Sequence, residues 1–363
     1  MSRDHGFHPL RVRRVVPETH DTTSFVFDVP DDLRDAFAYQ AGQFCTFRIP
    51  LGDDELLRCY SMSSSPDVDE EFTLTVKRVA GGRVSNWLLD EVAEGDELAL
   101  TLPAGVFTLR DHPTPIVAFA GGSGITPVIS VIKSALATTD RRVRLLYANR
   151  DDNSVIFRDA LDDLVAQHGA RFDVVHHLDT DQGFVHSDLV RGFVGDDLGA
   201  DFYLCGPAPF MDVVEDALEV AAVSSEKVFV ERFAFAASAR DEPSVAADDT
   251  AMIDPTTDIS SSLASARSEP VTTEIVTIVL NGRAHEVKYQ AGETFLETAR
   301  RAGLRAPFSC ESGSCATCMA RLEVGEAKMR VNNALMPDEV DEGWVLTCQG
   351  LPTSPTAKVV YES

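Results

Sequence analysis

Hydrophobic and polar positions change their pattern several times along the chain. From Leu10 to about Arg110, short segments such as VRRVV, SFVFDV, QFCTFRI, FTLTVKRV and ELALTL alternate apolar and polar residues and are separated by turn residues. That alternation predicts an antiparallel β domain, a small barrel with one face of each strand in its core. Inside it, VSNWLLDEV (84–92) follows Gly81-Gly82 with the apolar spacing of a short helix. From Pro115 to about Phe233, strand-like runs alternate with helical ones: IVAFA then PVISVIKSALA, RVRLLYA then IFRDALDDLVAQ, FDVVHHL, DFYLCG then FMDVVEDALEVA, and KVFVERF. This order predicts an α/β doubly wound parallel sheet, with a nucleotide site at the carboxyl ends of its strands.

Residues 234–271 lose all periodicity. They are rich in Ala, Ser, Asp and Pro and carry seven acidic against two basic side chains, which leaves little to drive collapse and predicts a flexible acidic linker. Beyond it, TEIVTIVLNGRAHEVKYQ predicts a hairpin turning at Asn281-Gly282, ETFLETARRAG a helix ending in glycine, and KVVYE a closing strand. The expected organisation is multidomain: a β barrel over 7–111, an α/β domain over 112–233, the linker, and a compact β-rich module over 272–363.

A length of 363 residues supports several independent cores. No apolar run approaches the roughly 18 residues of a membrane span, and MSRDHGFHPLRVRR lacks the apolar stretch of a signal peptide, so a soluble cytoplasmic protein is expected. With 58 acidic and 32 basic side chains the formal charge is -26. That field repels phosphate backbones and anionic lipid, which excludes nucleic acid and membrane surfaces as expected partners. It either steers a basic partner protein or serves solubility.

Of seven cysteines, Cys45, Cys59 and Cys205 are scattered, whereas Cys310, Cys315, Cys318 and Cys348 are spaced C-x4-C-x2-C-x29-C. Four thiolates can hold zinc or an iron–sulfur cluster. Zinc modules usually pair their ligands as two short knuckles; three ligands in one loop plus one remote is the plant-type 2Fe–2S arrangement. Gly313, Ser314, Ala316 and Thr317 are small enough for backbone to approach a cluster closely. With FSCESGSCATCMA and LTCQG, residues 272–363 resemble the plant-type ferredoxin family. The resemblance implies a β-grasp fold and a one-electron carrier with a potential on the order of -400 mV.

Arg58-Cys59-Tyr60-Ser61 closes an early strand, and it resembles the R-x-Y-S motif of the ferredoxin-NADP reductase family. By that resemblance Arg58 pairs with a flavin pyrophosphate, Tyr60 packs on the isoalloxazine, and Ser61 hydrogen-bonds near N5. A planar guanidinium suits phosphate and an aromatic face suits a flat ring. Val76-Lys77 and Gly82-Arg83-Val84-Ser85 resemble the second flavin segment, whose helix start meets the pyrophosphate and favours FAD over FMN. Gly121-Gly122-Ser123-Gly124-Ile125-Thr126-Pro127 fails the usual G-x-G-x-x-G fingerprint at Pro127 but matches this family's form. The resemblance implies that Gly121, Gly122 and Gly124 admit the nicotinamide dinucleotide and that Thr126 lies near nicotinamide and flavin. It further implies that Cys205-Gly206-Pro207 flanks the nicotinamide, with Cys205 a positioning residue, and that Phe233 of Glu231-Arg232-Phe233 lies near the flavin. Tyr147-Ala148-Asn149-Arg150 is the expected adenosine-side segment. Asp151 and Asp152 follow at once and would repel a 2′-phosphate, which favours NADH while leaving NADPH open.

The combination resembles reductase components of bacterial oxygenases that carry a C-terminal ferredoxin. A nicotinamide delivers two electrons as hydride and a 2Fe–2S centre accepts one, so FAD is the needed converter. The expected partner is a terminal oxygenase or hydroxylase component. No 2-His-1-carboxylate pattern appears, and His176 and His177 of one strand would point to opposite faces, so the chain is not expected to activate oxygen itself. RCYSMSSSP, VKRVAGGRVSNWL and YANRDDNSVIF are similar to the reductases of steroid hydroxylation. FHPL, CATC, NNALMPDEV and VLTCQGLPTS are similar to those of phenylacetyl-CoA epoxidation, and desaturase reductases form a further branch. Two other classes remain open on sequence alone: a redox sensor whose ferredoxin module docks a regulator, and a flavoprotein that reduces oxygen or a small molecule directly.

Overall fold

The computed structural model describes residues 7–52, 54–233, 273–308, 313, 318–332, 335 and 337–361. The expected linker, 234–271, lies outside them.

The first sheet comprises β1 (Phe7–Thr19), β2 (Thr22–Asp28), β3 (Phe44–Leu51), β4 (Asp54–Ser61), β5 (Phe72–Lys77) and β6 (Glu97–Thr101), with α1 (Arg83–Glu91) between the last two. All pairings are antiparallel, in the order β4-β3-β6-β1-β2-β5. Alternation turns Leu10, Val12, Phe25, Phe27, Phe47, Ile49, Leu74 and Val76 inward, where Val84 and Leu88 of α1 close the core. The edge strands β4 and β5 meet through a Met62–Leu74 bridge and a hydrogen bond from Ser63 N to Thr73 O of 2.9 Å. Past that bridge no ladder joins them among the described residues. A slot therefore separates residues 58–61 from residues 75–77.

The second sheet is built from β7 (Ile116–Gly121), α2 (Ile125–Thr138), β8 (Val143–Asn149), α3 (Arg158–His168), β9 (Phe172–Leu178), α4 (Asp179–Gln182), α5 (Ser187–Val194), β10 (Asp201–Cys205), α6 (Ala208–Val220) and β11 (Val228–Glu231). Its strands are all parallel, in the order β11-β10-β7-β8-β9. β7 is buried at every position, as a central strand covered on both faces must be. Strand order reverses between β7 and β10, and the crevice beyond their carboxyl ends is where such sheets bind nucleotides. α3 begins at Arg158, two residues later than the IFRDAL pattern suggested. Phe157 adopts a left-handed φ of 59° and the Ile156 N–H is committed to the Tyr147 hydroxyl at 3.2 Å, so neither joins the helix.

The third unit contains β12 (Ile275–Leu280), β13 (Arg283–Lys288), α7 (Phe295–Arg301), β14 (Met319–Val324), β15 (Ala327–Met329), α8 (Pro337–Asp341), β16 (Trp344–Leu346), β17 (Gly350–Pro352) and β18 (Thr356–Val360). Its mixed sheet runs β13-β12-β18-β14-β16, with β15 and β17 paired separately, and Phe295 and Leu296 of α7 sink into its core: a β-grasp arrangement. The hairpin turns where the sequence places it, with Asn281 and Gly282 at φ 50° and 72°. A capping box between Thr294 and Glu297 starts α7. No helix among the described residues is long and apolar enough to cross a membrane.

The second sheet is pinned from below by one carboxylate. Asp201, fully buried at the start of β10, accepts from Arg141 at 2.6 Å, His112 at 3.0 Å and Lys227 at 3.1 Å. Burial alone would push its carboxyl up, but the bonds from His112, Lys227 and Arg141 outweigh burial and hold it below its ordinary range. Asp201→Asn leaves the buried Arg141 uncompensated and is expected to cost about 3–5 kcal/mol in a urea titration at neutral pH. Because the folded carboxyl is depressed, its contribution is complete above about pH 4 and is lost as pH falls through the depressed value. The two proteins should therefore converge in stability only in strong acid.

Candidate functional site

α2 sits between the first two units and is buried at every position from Ile125 to Leu136 except Lys133. Two of its buried residues are serines. Ser130 Oγ donates to Ser64 O at 2.6 Å and accepts from Gly42 N at 3.3 Å, while Ser134 Oγ and Ser65 Oγ lie 2.7 Å apart. Lys133 adds an ion pair to Asp69 at 2.9 Å, and the Tyr39 hydroxyl meets Ser64 Oγ at 2.7 Å. A row of hydroxyls continues from Ser63 through Thr75 and Ser24 to Glu18, with steps of 2.7, 2.7 and 2.6 Å. Burial pushes the Glu18 carboxyl up, against the Ser24 hydrogen bond and the charge of Lys133. Ser63, Ser64 and Ser65 follow Ser61 after Met62, so the helix opened by one glycine motif grips the segment that follows R-x-Y-S. Sequence reasoning missed this seam; its signal was a pair of serines four apart in the largely apolar PVISVIKSALA.

The slot between β4 and β5 gathers the predicted flavin residues. Arg58 is half-buried, its Nη1 donating to Leu57 O at 2.7 Å, and Cys59 Sγ lies 3.4 Å from Thr46 Oγ1 on the barrel wall. The Tyr60 ring meets Phe47 edge-on at 5.2 Å, and burial pushes its phenol up. Ser61 is 1% exposed, yet its hydroxyl has no hydrogen-bond partner among the described residues. Opposite, Val76 is buried in the barrel core and Lys77 pairs with Asp21 at 3.4 Å. Gly82 caps α1 without any side-chain bond, and no acidic residue sits in the first turn, which leaves its amide end suited to an anion. Val84 turns its side chain into the core and contributes backbone; Ser85 Oγ accepts from Val79 N at 3.1 Å and shapes the turn.

The nicotinamide motifs meet at the switch point. Gly124 packs so tightly on the β10 turn that a Cβ there would sit 2.1 Å from the Cys205 carbonyl oxygen. Gly121 is similarly enclosed by Pro207 and Phe210, and Gly206 by Phe210 and the Gly121 backbone, whereas Gly122, at φ 51°, faces open space. Thr126 is buried, its hydroxyl donating to Ser123 O at 3.0 Å, so it braces the glycine turn. Cys205 is fully buried and burial pushes its thiol well up, which fits positioning and not nucleophilic attack. Phe233 packs on the core cluster that contains Phe107, Ile125 and Cys205. At the end of β8, Asn149 of the expected adenosine-side segment is buried beside the Tyr147 hydroxyl. Arg150 is exposed, binds Asp151 at 2.8 Å and reaches His20 of the barrel at 3.4 Å. His20, Arg150, Asp151 and Asn153 line a cavity of about 490 Å³.

Cys318 and Cys348 come together in the third unit, both buried, with Cys348 N donating toward Cys318 Sγ at 3.5 Å. Gly313 takes φ 80°, and a Cβ there would meet Val331 O at 2.7 Å, so the loop tolerates only glycine at that point. Cys310 and Cys315 lie outside the described residues.

Residues 9–109 match an oxidoreductase FAD-binding domain, 119–216 an oxidoreductase NAD-binding domain and 278–353 a 2Fe-2S iron-sulfur cluster binding domain. The ferredoxin reductase component of 3-ketosteroid-9-alpha-monooxygenase from Mycolicibacterium smegmatis is 38% identical, over 97% of this chain and 96% of that protein. The chain belongs to the family of oxygenase reductase components. One component of the 1,2-phenylacetyl-CoA epoxidase of Escherichia coli is 31% identical over 98% of each chain. Phthalate dioxygenase reductase, a modular structure for electron transfer from pyridine nucleotides to a 2Fe–2S centre, superposes over 99% of both chains with a TM-score of 0.58 at 26% identity. As a member of this family, the chain is an NAD(P)H-dependent flavin iron–sulfur oxidoreductase that serves a partner oxygenase. The residues present fit its groups: an unpartnered buried hydroxyl and an uncapped helix start for FAD, an open glycine at the switch point for the dinucleotide, and converging thiols for the cluster.

In this oxygenase reductase component, Gly124→Ala forces the glycine turn and the Cys205-Gly206-Pro207 turn apart. Bound FAD should be retained while the rate of flavin bleaching by NADH falls by about 100-fold, read by anaerobic stopped-flow absorbance, since small misplacements at a reacting centre cost about that much.

Proposed function

We propose that residues 58–61, 76–77 and 82–85 hold FAD, that residues 121–126 and 205–207 hold the nicotinamide dinucleotide, and that Cys310, Cys315, Cys318 and Cys348 hold the 2Fe–2S cluster. The observation that carries this reading is the α2 seam, which sets the slot and the switch-point crevice side by side. When bound, FAD supplies the conversion of a two-electron donor into single electrons. Arg58 and the amide end of α1 neutralise pyrophosphate, Tyr60 gives the ring an apolar face, and the Ser61 hydroxyl donates to or accepts from it. Thr126 and Cys205 act through backbone placement, keeping the two loops at contact distance so that the nicotinamide is held against the flavin and water is excluded. Phe233 covers the same crevice from the end of the second unit.

NADH is the proposed donor. Arg150 is engaged by Asp151, and Asp152 is paired with Arg158, so among the described residues no uncommitted guanidinium faces a 2′-phosphate there. The proposed partner is the terminal component of an oxygenase acting in the breakdown of steroids or aromatic compounds, a reading supported by the relatives' names and by the higher identity to the steroid branch.

Anaerobic titration with NADH and, separately, NADPH should bleach the flavin near 450 nm and raise a rhombic EPR signal, with NADH effective at lower concentration. Bleaching without the EPR signal would reduce the protein to a simple flavoprotein. Arg58→Ala should lower FAD retention by about tenfold or more in a dialysis assay, as expected on losing a charge-assisted bidentate contact. Cys348→Ser should abolish the EPR signal while NADH still bleaches the flavin.

A further inference from the structure

α6 leaves the Cys205-Gly206-Pro207 turn and carries Asp212, Glu215, Asp216 and Glu219 along one face, at helical spacing. Carboxylates so placed repel one another unless cations intervene. One cation comes from the helix's own unit: Arg232 reaches Asp212 at 3.2 Å and also pairs with Glu215. The second comes from the 2Fe–2S domain. Arg305, which follows α7, lies 2.9 Å from Asp216, 3.2 Å from Glu215, 3.9 Å from Asp212 and 4.0 Å from Glu219. Burial pushes the Glu215 carboxyl up, and Arg232 and Arg305 pull it back.

Arg305 precedes Cys310 by five residues, and the intervening Phe308 is stacked under Arg300 at 4.0 Å. The ionic contact therefore acts on the strand of chain that enters the cysteine loop. The same domain touches the barrel through Leu57, the neighbour of Arg58, which packs against the core cluster containing Cys318 and Cys348. Among the described residues Leu57 is the one side chain from another unit in that apolar cluster. A single leucine buries far too little to hold a domain in place, whereas stable interfaces bury upwards of about 1,200 Å². Arg305 remains 39% and Asp216 67% exposed, so salt reaches the contact.

We propose that Arg305 and the carboxylate row of α6 form an electrostatic latch, which holds the 2Fe–2S domain in its electron-receiving position and releases it when competing charge reaches Arg305. The latch adds no reactant. Per NADH, two electrons leave singly through the cluster and one proton is released, whether the domain is held or free. What the latch changes is how often the domain is in place to receive. It acts after hydride transfer and does not touch the nicotinamide crevice.

The test uses the holoprotein with Arg305→Glu and, from the other side of the contact, Asp216→Lys, at an exposed position where folding is not at stake. Under anaerobic stopped flow at low salt, flavin bleaching by NADH should be unchanged in both. Cluster reduction should slow by about tenfold, equivalent to about 1.4 kcal/mol. In the wild type, added salt should slow cluster reduction in the same way, and in the variants it should slow it no further, because screening there acts on repulsion. Combining Arg305→Glu with Asp216→Lys should restore most of the rate. Small-angle scattering of the oxidised holoprotein should give a larger radius of gyration for each single variant than for wild type or the double variant. Wild-type cluster reduction rates and unchanged scattering in both single variants would overturn the latch. The inference rests on the four cysteines holding the cluster; absence of the reduced-cluster EPR signal in wild type would reject that assignment, and with it the latch.

Discussion

Two buried hydroxyls on α2 are the constraint from which the rest of the flavin and nicotinamide arrangement follows. The helix is enclosed by its own sheet on one side and by the barrel on the other, so Ser130 and Ser134 cannot be hydrated. An unmet hydroxyl at such a site costs about 1–3 kcal/mol. The partners within reach are Ser64 O, Ser65 Oγ and Gly42 N, all on the barrel, and satisfying them fixes how the barrel meets the sheet. An apolar helix would have packed against the barrel in many registers; two serines with directional bonds select one. The selected one places Ser61, three residues before Ser64, beside the crevice that the Gly124 and Cys205 turns form.

Against that satisfied seam, the unsatisfied atoms stand out. Native interiors pair their polar groups almost completely, and among the described residues Ser61 Oγ, on the slot, is one of several buried side-chain atoms left without a partner. The glycines follow the same logic in steric terms. Gly121, Gly124 and Gly206 are small because protein fills the space, and Gly122 faces open space. A motif that reads as one string of glycines thus divides into packing residues and an approach residue.

The 2Fe–2S domain is attached by different physics. Its contact with α6 is ionic and partly exposed, and among the described residues Leu57 is the one barrel side chain in its apolar core cluster. The first two units are locked by buried directional bonds, the third by screened charge. That difference suits a protein whose flavin and nicotinamide must hold a fixed geometry for hydride transfer, while its cluster must receive from one site and deliver to another.

Much of this was legible in the chain alone. Period-two alternation made the barrel strands, apolar runs between helical patterns made the parallel sheet, and Asn281-Gly282 made the hairpin, because each depends on neighbours within a few residues. C-x4-C-x2-C-x29-C, R-x-Y-S and the glycine turn named the chemistry, since the ligating or approaching atoms lie in short, contiguous segments. The start of α3 was not legible, because Tyr147, nine residues upstream of Ile156, claims its N–H in space. Nor were the pairing of Ser130 and Ser134 with Ser64 and Ser65, the 2.1 Å fit of Gly124 on Cys205, or the grip of four α6 carboxylates on Arg305. Those contacts join residues about 65 to 90 positions apart, and only the folded backbone decides which distant side chains must satisfy one another.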